Sequence, residues 1–593
     1  MKSAQEPGAG SRGAITDSAW FFPLVAVLLT AAGYARAPWL GFVYDDDVII
    51  RANPYITSAS NIPAYFTQHV WTGLMLARNN YYRPVFLLWL LAAYKAFGTN
   101  PLGWHLSSLL LHLGSTAMVY QLTLRMARSR WAALGAALLF GLHPVQVENV
   151  AWSSAVTELL CTFFALAAFL AYLAALDSLG QRGMLLTASV FLYALAMLSK
   201  ETAIVLPAIV FLHEWLGRPG CAAAAGARRG GTAVIGAIKE ALPFAFVALA
   251  YLAARIAVLG AIGETTAKLG TRVWLQSIPK VLAIYLGHLT WPAGLSVFYD
   301  YSYVDEFSMA SVLLPAALIV LVGALLLTAG RKSPATLVAG AWMTLAILPV
   351  LDLPVFPRGE FLHDRYLYQP MIGLALLAGI GIGSLEGRWP GRGPRFALFA
   401  GCAVVAAALG ATTFAQTRYW VDNFSLYSRG VSVAPRNGPA NMDLGSVLIN
   451  RGQLDEGMAL LRKAVEYTPN LYLAHYDLGI GYFQTGHYGD AEASFRRAQA
   501  IMPQFADAGF FLGMTYLRAG RLPEAAECMR KAIALRPENV DYRFGLAMAL
   551  QQMGDMAAAR GQLQEALRID PAYQPARTQL QKMDATASRP PAP

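Results

Sequence analysis

The sequence predicts an all-α protein in two parts: a polytopic transmembrane domain followed by a solenoid of helical repeats. Hydrophobic residues make up 56% of the 593 residues and charged residues only 14%. The mean hydropathy is +0.42, and this composition is typical of membrane proteins. Long apolar runs fill the first two thirds of the chain, and a regular spacing of proline and glycine fills the last third.

About eleven apolar segments are long enough to cross a bilayer, which takes roughly 20 residues. The predicted spans are residues 20–37, 102–127, 131–148, 150–177, 184–199, 202–216, 239–261, 309–329, 336–353, 366–388 and 395–416. Two other apolar stretches, 85–97 and 275–291, are short or interrupted by charge and proline. We expect these two to lie as helices in the outer interface of the membrane.

The positions of arginine and lysine predict the orientation of the chain, because positively charged loops stay in the cytoplasm. Basic residues fall in every second loop. The N-terminal tail, 1–19, is then cytoplasmic, whereas the loop 38–101 and the chain after about residue 417 lie outside. If residues 275–291 instead cross the bilayer, the C-terminal part moves inside. The sequence Tyr34-Ala35-Arg36-Ala37 also resembles a signal-peptide cleavage site, which would leave the rest of the topology unchanged.

The charge and the cysteines exclude several other classes of protein. The net charge of +10 does not indicate nucleic-acid binding, because the arginines cluster between apolar runs and no basic, aromatic-rich soluble face is evident. The four cysteines occur singly, without metal or disulfide spacing.

The short cytoplasmic loops and the Ala/Gly content favour a bacterial inner membrane, with the C-terminal part in the periplasm.

The last third of the chain repeats with a period of 34 residues. Proline and glycine mark this period at Pro469, Pro503, Pro537 and Pro571 and at Gly452, Gly486, Gly520 and Gly554. A helix–turn–helix unit of this length, closed by proline, is typical of tetratricopeptide repeats. We predict four units, 437–470, 471–504, 505–538 and 539–572, followed by a capping helix to residue 583, which is enough to bury a stacked core.

The remaining boundaries follow from these two parts. The membrane domain is predicted to cover residues 20–416, and residues 417–436 link it to the repeats. The tail 584–593 is rich in proline, alanine and serine, and we expect it to be disordered.

An acidic cluster, Asp45-Asp46-Asp47, follows the first apolar segment closely. Three adjacent carboxylates repel one another, and such clustering raises at least one pKa, which suits a general base or a metal ligand. Tyr44 precedes the cluster, and Asn53-Pro54 predicts a fixed turn after it. The alternative is an exposed acidic turn that only caps the following helix.

Further polar residues are predicted on the same side of the membrane. They are Arg83, His143, Glu148, Lys200, Glu201, His363, Asp364, Arg365 and Tyr366. Ionisable residues near a bilayer cost about 2.5–3.5 kcal/mol each at a helix centre, so several that converge imply a polar cavity. Each one alone could instead snorkel to the interface or cap a helix. His105 and His112 share a helix face without a third ligand, so we expect packing contacts rather than a metal site.

In their order along the chain, these motifs resemble those of the transmembrane and tetratricopeptide repeat-containing O-mannosyltransferases, which are GT-C glycosyltransferases. The matching stretches are Phe42-Val43-Tyr44-Asp45-Asp46 with Ile50 and Asn53, Tyr82-Arg83-Pro84, His105 with Leu111-His112, His143-Pro144 with Glu148, Leu198-Ser199-Lys200-Glu201, and Asp364-Arg365-Tyr366-Leu367-Tyr368 with Pro370. The likeness covers nearly the whole chain. The chain departs from the family in the third aspartate, Asp47, in having only four repeats, and at Asp364, where the family pattern leads us to expect glutamate.

The resemblance implies an inverting transfer of a mannose-like sugar from a polyprenyl- or dolichyl-phosphate carrier to a hydroxyl of a protein acceptor. Asp45 or Asp46 would be the general base, and Arg365, with Arg83 and Lys200 as weaker choices, would stabilise the departing phosphate. The supporting polar residues would be Tyr44, Asn53, His143, Glu148, Glu201, His363, Asp364 and Tyr366. The repeats would bind the protein acceptor or a partner. No cofactor is assigned, and the aspartates leave room for a divalent cation.

Two other functions fit parts of the sequence. A ligase or polymerase of lipid-linked oligosaccharides can also end in such repeats, but it would be expected to carry its essential arginine and histidine in a large late loop. A non-catalytic scaffold could anchor the repeats for envelope assembly. The acidic loop after the first span favours the monosaccharide transferase.

Overall fold

The computed structural model describes residues 19–70, 81–178, 180–216, 231–260, 269–356, 361–389 and 391–587. Helices and turns are the only regular structure in these residues. The chain divides into two compact units. The first comprises Met1–Val297 and Tyr301–Leu426, and the second comprises Phe298–Asp300 and Tyr427–Pro593.

The first unit is a bundle of helices. Its α-helices are α1 (Phe21–Gly33), α2 (Ile62–Thr67), α3 (Pro84–Phe97), α4 (Pro101–Ala127), α5 (Arg130–Leu142), α6 (Val147–Ala151), α7 (Val156–Asp177), α8 (Arg182–Ser199), α9 (Leu206–Trp215), α10 (Gly231–Leu259), α11 (Thr271–Thr290), α12 (Leu314–Gly330), α13 (Pro334–Leu345), α14 (Pro370–Arg388) and α15 (Arg392–Gln416). Helices α4 and α7 pack against one another and against several neighbours, whereas α12 and α15 are almost wholly exposed. Apolar helices that expose nearly every side chain are expected to face lipid.

Eight helical segments in the described residues are long and apolar enough to cross a membrane. They are Phe21–Trp39, Ser153–Asp177, Arg182–Ser199, Thr232–Leu259, Met309–Gly330, Pro334–Leu351, Pro370–Arg388 and Arg392–Trp420. Each coincides with one of the predicted spans, so the chain is an integral membrane protein. The side of the membrane on which the repeats lie stays a prediction.

The other three predicted spans differ from these eight. Helix α4 has 27 residues, but its buried face carries histidine, serine and threonine, which lowers its hydropathy. Helices α5 and α9 have only 13 and 10 residues. The two predicted interfacial helices are α3 and α11, and neither is among the eight candidates.

The histidines of α4 make packing contacts inside the bundle. His112 lies 2.8 Å from the hydroxyl of Tyr368 and 3.0 Å from the carbonyl of Gly141. The Nε2 atom of His105 lies 3.2 Å from the carbonyl of Gly41. The second contact ties α4 to the loop that carries the acidic cluster.

The second unit is an array of antiparallel helix pairs. After α16 (Asn423–Val433), its helices are α17 (Gly438–Asn450), α18 (Leu454–Tyr467), α19 (Tyr472–Gln484), α20 (Tyr488–Ile501), α21 (Ala506–Arg518), α22 (Leu522–Leu535), α23 (Val540–Gln552), α24 (Met556–Ile569) and α25 (Gln574–Ala587). The glycine at the end of the first helix of each repeat has φ between 75° and 85°, a left-handed conformation that ends a helix and favours glycine.

A second set of glycines explains the close packing within each pair. A Cβ atom at Gly445 would lie 2.8 Å from Leu461, and one at Gly479 would lie 2.7 Å from Phe495. The two helices of a repeat therefore approach too closely for a larger residue.

The predicted linker, capping helix and terminal tails can be compared with the observed helices. Residues 417–436 contain a short 3₁₀ turn and helix α16, and the last helix, α25, continues beyond Met583 to Ala587. Two stretches lie outside the described residues: residues 1–18 of the predicted tail 1–19, and residues 588–593 of the predicted tail 584–593.

Candidate active site

A polar cavity of about 490 Å³ lies within the first unit. Its wall contains four cationic side chains, Arg83, Lys200, Arg255 and Arg365, and three carboxylates, Asp45, Glu201 and Asp352. Aromatic side chains complete the wall: Tyr81, Phe86, Trp152, Phe356 and Tyr366. The fold therefore brings together six residues that were predicted from separate motifs: Asp45, Arg83, Lys200, Glu201, Arg365 and Tyr366.

The acidic loop is held by the segment that follows α15. The backbone nitrogen of Gly41 donates to the carbonyl of Val421 at 3.1 Å, and a Cβ atom at Gly41 would lie only 2.7 Å from that oxygen. The backbone nitrogen of Tyr44 donates to Oδ1 of Asn423 at 2.8 Å. Tyr44 has φ 57°, a strained conformation for a residue with a side chain, and its ring packs edge-on against Trp152.

The three aspartates of the loop occupy different environments. Asp45 lines the polar cavity. Asp46 is fully buried; its Oδ1 accepts hydrogen bonds from the nitrogen and the hydroxyl of Ser154 at 2.9 and 2.5 Å, and its Oδ2 accepts one from the nitrogen of Val43 at 3.2 Å. Asp47 forms an exposed ion pair with Arg51 at 2.8 Å.

The surroundings of Asp45 and Asp46 raise both pKa values. Burial raises the pKa of Asp45 to about 6, although the charge of Arg365 lowers it in part. Burial raises the pKa of Asp46 to about 7, against the lowering effect of the hydrogen bonds from Ser154 and Val43. A carboxylate with a raised pKa is a stronger base than an exposed one. With a pKa of about 6, Asp45 is still mostly ionised at neutral pH, whereas Asp46, with a pKa of about 7, is about half ionised.

Arg365 is fixed by Glu148 and by two aromatic rings. Its Nη1 lies 2.6 Å from Oε1 of Glu148, and its backbone nitrogen donates to Oε2 at 3.2 Å. The guanidinium carbon lies 5.2 Å from the ring centre of Trp152 and 5.1 Å from that of Tyr366. These contacts set the direction of the guanidinium, which also lines the cavity.

The turn that carries Arg365 is held by further buried polar contacts. Nδ1 of His288, on α11, lies 2.9 Å from Oδ1 of Asp364. The backbone nitrogen of His363 donates to the hydroxyl of Tyr285 at 3.4 Å, and the His363 ring packs edge-on against Tyr366. His363 and Asp364 therefore lie behind the cavity wall.

A second group of charges surrounds Glu201. Arg83 donates to both of its carboxylate oxygens, at 3.1 and 2.7 Å, and Nη1 of Arg255, on α10, lies 3.6 Å from Oε2. Burial alone would raise the pKa of Glu201, but the charges of Arg83 and Arg255 outweigh this effect and lower it to about 2. Lys200 forms a buried ion pair with Glu158, and its Nζ lies 5.2 Å from the ring centre of Tyr366.

Two of the predicted site residues have other contacts. Asn53 accepts a hydrogen bond from the nitrogen of Tyr55 at 3.0 Å and donates to the carbonyl of Ile49 at 3.0 Å, so it caps a short turn of the acidic loop. Nδ1 of His143 accepts a hydrogen bond from the nitrogen of Val145 at 3.4 Å. Neither residue is part of the cavity wall.

The structure adds Arg255, Trp152 and Ser154 to the site. Arg255 is the one charged residue of the apolar run 241–263, and a charge inside a predicted span is a strong signal of a polar site. Trp152 and Ser154 lie between α6 and α7. They fall inside the predicted span 150–177, where no sequence pattern distinguishes them from the other residues of that span. Among the described residues, no group of three or more His, Cys, Asp or Glu side chains could hold a metal ion.

The fold and the cavity define a polytopic membrane protein that has a buried, highly charged site and a tetratricopeptide-repeat solenoid. Family models described as "Tetratricopeptide repeat" match residues 438–471, 472–505 and 510–573. These matches confirm the repeats in the second unit.

Comparison with curated proteins shows what the whole chain is similar to. It is 25% identical over 505 residues to "Protein O-mannosyl-transferase Tmtc3" of Drosophila melanogaster, covering 73% of this chain and 53% of that protein. It is 24% identical to "Protein O-mannosyl-transferase F38B6.6" of Caenorhabditis elegans, covering 72% of this chain and 60% of that protein. These relatives confirm the resemblance to transmembrane and tetratricopeptide repeat-containing O-mannosyltransferases.

The match does not extend over the full length of these relatives. The chain spans between half and two thirds of the length of these two relatives.

Among solved structures, the crystal structure of MamA has 24% sequence identity and a TM-score of 0.24, covering 25% of this chain and 86% of that one. A score of that size does not establish a shared fold.

Proposed function

We propose that this chain is a GT-C type membrane glycosyltransferase. It moves a mannose-like sugar from a polyprenyl- or dolichyl-phosphate carrier to a hydroxyl of a protein acceptor on the extracytoplasmic side of the membrane. The names of its relatives support transfer to protein. The observation that favours this function most is one cavity in which Asp45 and four cationic side chains meet within the membrane domain.

In the proposed reaction, Asp45 is the general base. It accepts the proton of the acceptor hydroxyl while the hydroxyl oxygen attacks the anomeric carbon of the sugar from the side opposite the phosphate. The bond from that carbon to the phosphate oxygen breaks, and its electron pair stays with the phosphate. The configuration at the anomeric carbon is therefore inverted.

The cations of the cavity stabilise the phosphate that leaves. Its negative charge increases in the transition state, so positively charged donors that are already in place lower the barrier. Arg365 is oriented by Glu148, and Arg83 by Glu201. Lys200 and Arg255 add two further cations to the same wall.

An apolar groove next to the polar cavity gives the carrier lipid a place to bind. This groove, of about 240 Å³, is lined mainly by apolar residues of α11, α12, α13 and α14. Leu348 and Leu367 line the groove, and their chain neighbours Pro349 and Tyr366 line the polar cavity. In the proposal, the isoprenoid chain of the donor lies among these apolar side chains and its phosphate lies among the cations.

The proposal is tested by transfer assays in membranes supplied with polyprenyl-phosphate mannose and a serine- or threonine-containing peptide. We expect a mannosylated peptide of inverted configuration and free polyprenyl phosphate. Asp45→Asn should reduce transfer by a factor of about 10²–10⁴. Asp47→Asn, the same chemical change at an exposed ion pair, is the matched control and should keep wild-type transfer.

Two results would exclude the proposed reaction. Transfer that is equal in the Asp45→Asn variant and the wild type would remove the assigned base. No transfer by the wild type from any polyprenyl-phosphate sugar would favour a non-catalytic scaffold.

A further inference from the structure

The second unit contains an open groove between the first helices of its third and fourth repeats. The groove has a volume of about 610 Å³. Its floor is formed by Phe510, Phe511 and Met514 of α21 and by Phe544 and Met548 of α23. All five side chains are only partly buried. A contiguous, partly exposed apolar surface on a repeat array is typical of a binding site rather than of a core.

The shape of the groove depends on close packing beneath it. Phe510 stacks on Tyr542, with 4.9 Å between ring centres, and Phe511 stacks on Phe495 at 6.0 Å. A Cβ atom at Gly545 would lie 2.6 Å from the Phe510 ring, so the glycine lets that ring stay in place between α21 and α23. The aromatic floor is therefore fixed before any partner binds.

The charges of the groove differ between its two ends. Asp507 and Asp541, in the first turns of α21 and α23, make one end acidic. Arg518, the last residue of α21, makes the other end basic. The hydroxyl of Tyr542 donates to Oδ1 of Asp507 at 2.5 Å, and that of Tyr573 donates to Oδ1 of Asp541 at 2.6 Å.

The tyrosine hydroxyls orient both carboxylates without neutralising them. Arg536 lies 3.4 Å from Asp507 and offsets part of its charge. Asp541 is exposed, so solvent screens its charge in part but leaves it accessible to a partner at this end.

We infer that this groove binds an extended polypeptide segment in which a basic side chain is next to apolar or aromatic side chains. The apolar side chains lie on the phenylalanine and methionine floor, and the basic side chain lies by Asp541 and Asp507. Methionine and aromatic floors accept varied apolar side chains, so the groove selects a pattern of charge and hydrophobicity rather than one sequence. The inference deepens the proposed function, because such a segment would hold a protein acceptor.

Peptide binding to the full chain in detergent tests the inference. The protein carries Asp45→Asn, so that binding is measured without sugar transfer and without donor. The probe is a fluorescein-labelled peptide with lysine next to a leucine–phenylalanine pair in a Gly-Ser background. We expect its anisotropy to rise with protein concentration, and the affinity to fall when lysine is replaced by glutamate or when the apolar pair is replaced by serine.

Matched variants of the chain separate the groove from the rest of the surface. Asp541→Asn should weaken binding roughly two- to fivefold, as expected for one exposed charge, whereas Glu527→Gln, the same charge change at an exposed ion pair of α22, should not. Met548→Glu should weaken it by at least about tenfold, because a charge would enter an apolar floor. Met556→Glu, at an exposed methionine of α24, is its control.

Three results would overturn the inference: no binding of the probe, equal binding of the lysine and glutamate peptides, or groove variants that bind like their controls. Because Asp541 is exposed, its substitution tests the groove even if Met548→Glu disturbs folding. None of these results depends on catalysis, so the inference can fail while the proposed transfer activity stands.

Discussion

Asp46 and Ser154 are joined by two hydrogen bonds, since the nitrogen and the hydroxyl of Ser154 both donate to Oδ1 of Asp46. Together with the hydrogen bond from Val43, they occupy both oxygens of the Asp46 carboxylate inside the protein. The carboxylate of the preceding residue, Asp45, lines the polar cavity. In the proposed reaction Asp46 is therefore a positioning residue that fixes the loop, and Asp45 meets the substrate.

Ser154→Ala should lower kcat roughly tenfold or more and leave the KM for the lipid donor unchanged. Losing a hydrogen bond to a charged group costs about 1.5–3 kcal/mol. The loop that aims Asp45 would keep the hydrogen bond from the Ser154 nitrogen but lose the one from its hydroxyl. Steady-state kinetics in membranes measures this. The control is Ser153→Ala, whose hydroxyl has no hydrogen-bond partner in the part of the chain that the structure describes. An equal loss in both variants, or a change in KM alone, would contradict the positioning role.

Transfer should increase with pH through about 6. The pKa of Asp45 is raised to about 6 by burial, and a general base works only when it is deprotonated, so activity is lost as pH falls below that value. Arg365→Gln removes a charge that lowers this pKa, and the rise should then move to higher pH. The pH dependence of kcat/KM measures both effects. A profile that is flat between pH values of about 5 and 8, or a shift to lower pH in Arg365→Gln, would contradict Asp45 as the base.

Arg255→Gln should raise the KM for the lipid donor by about tenfold, because a charge-assisted contact to phosphate is worth roughly 1.5–3 kcal/mol. Arg255→Lys keeps the charge and should recover part of the affinity. The control is Lys239→Gln, the same change of charge at an exposed position on the same helix. Kinetics with varied polyprenyl-phosphate mannose distinguish these outcomes. If Arg255→Gln and Lys239→Gln behave alike, Arg255 has no part in donor binding.

Gly323→Leu should raise the KM for a long-chain donor more than that for a short-chain one. Gly323 lines the apolar groove, and a Cβ atom there meets no other atom within 4 Å, so leucine would fill groove space without a clash. Gly236→Leu is the control, because that glycine lies on α10 with the same open surroundings. Donors of two isoprenoid lengths provide the measurement. Equal effects on both donors would place the lipid elsewhere.

Much of the fold followed from simple patterns. Spans were predictable where a helix is apolar all round, as in α12 and α15. The prediction was least clear for α4, because its polar residues such as Ser108 and Thr116 are buried against other helices, and a hydropathy pattern cannot tell a buried polar face from a soluble one. The repeats were predictable because left-handed glycines such as Gly486 and close contacts at Gly479 recur at fixed positions.

The candidate site was predictable only in part. The ionisable residues Asp45, Lys200 and Arg365 could be picked out because charge near a membrane is costly. The sequence could not show which of these residues form the cavity wall and which support it. Asp46 is held by Ser154, more than a hundred residues away in the chain, whereas the adjacent Asp45 lines the cavity. Arg255 carried a sequence signal, as a lone charge in an apolar run.

The central claim is that Asp45 takes the proton of the acceptor hydroxyl, and single-turnover transfer by Asp45→Asn tests it most directly. Protein in excess is loaded with radiolabelled polyprenyl-phosphate mannose and mixed with acceptor peptide, and the dissociation constant for the donor is measured on the same sample. We predict that Asp45→Asn binds the donor about as well as the wild type but transfers the sugar at least about 100-fold more slowly. Donor binding and a transfer rate that both match the wild type would contradict the claim.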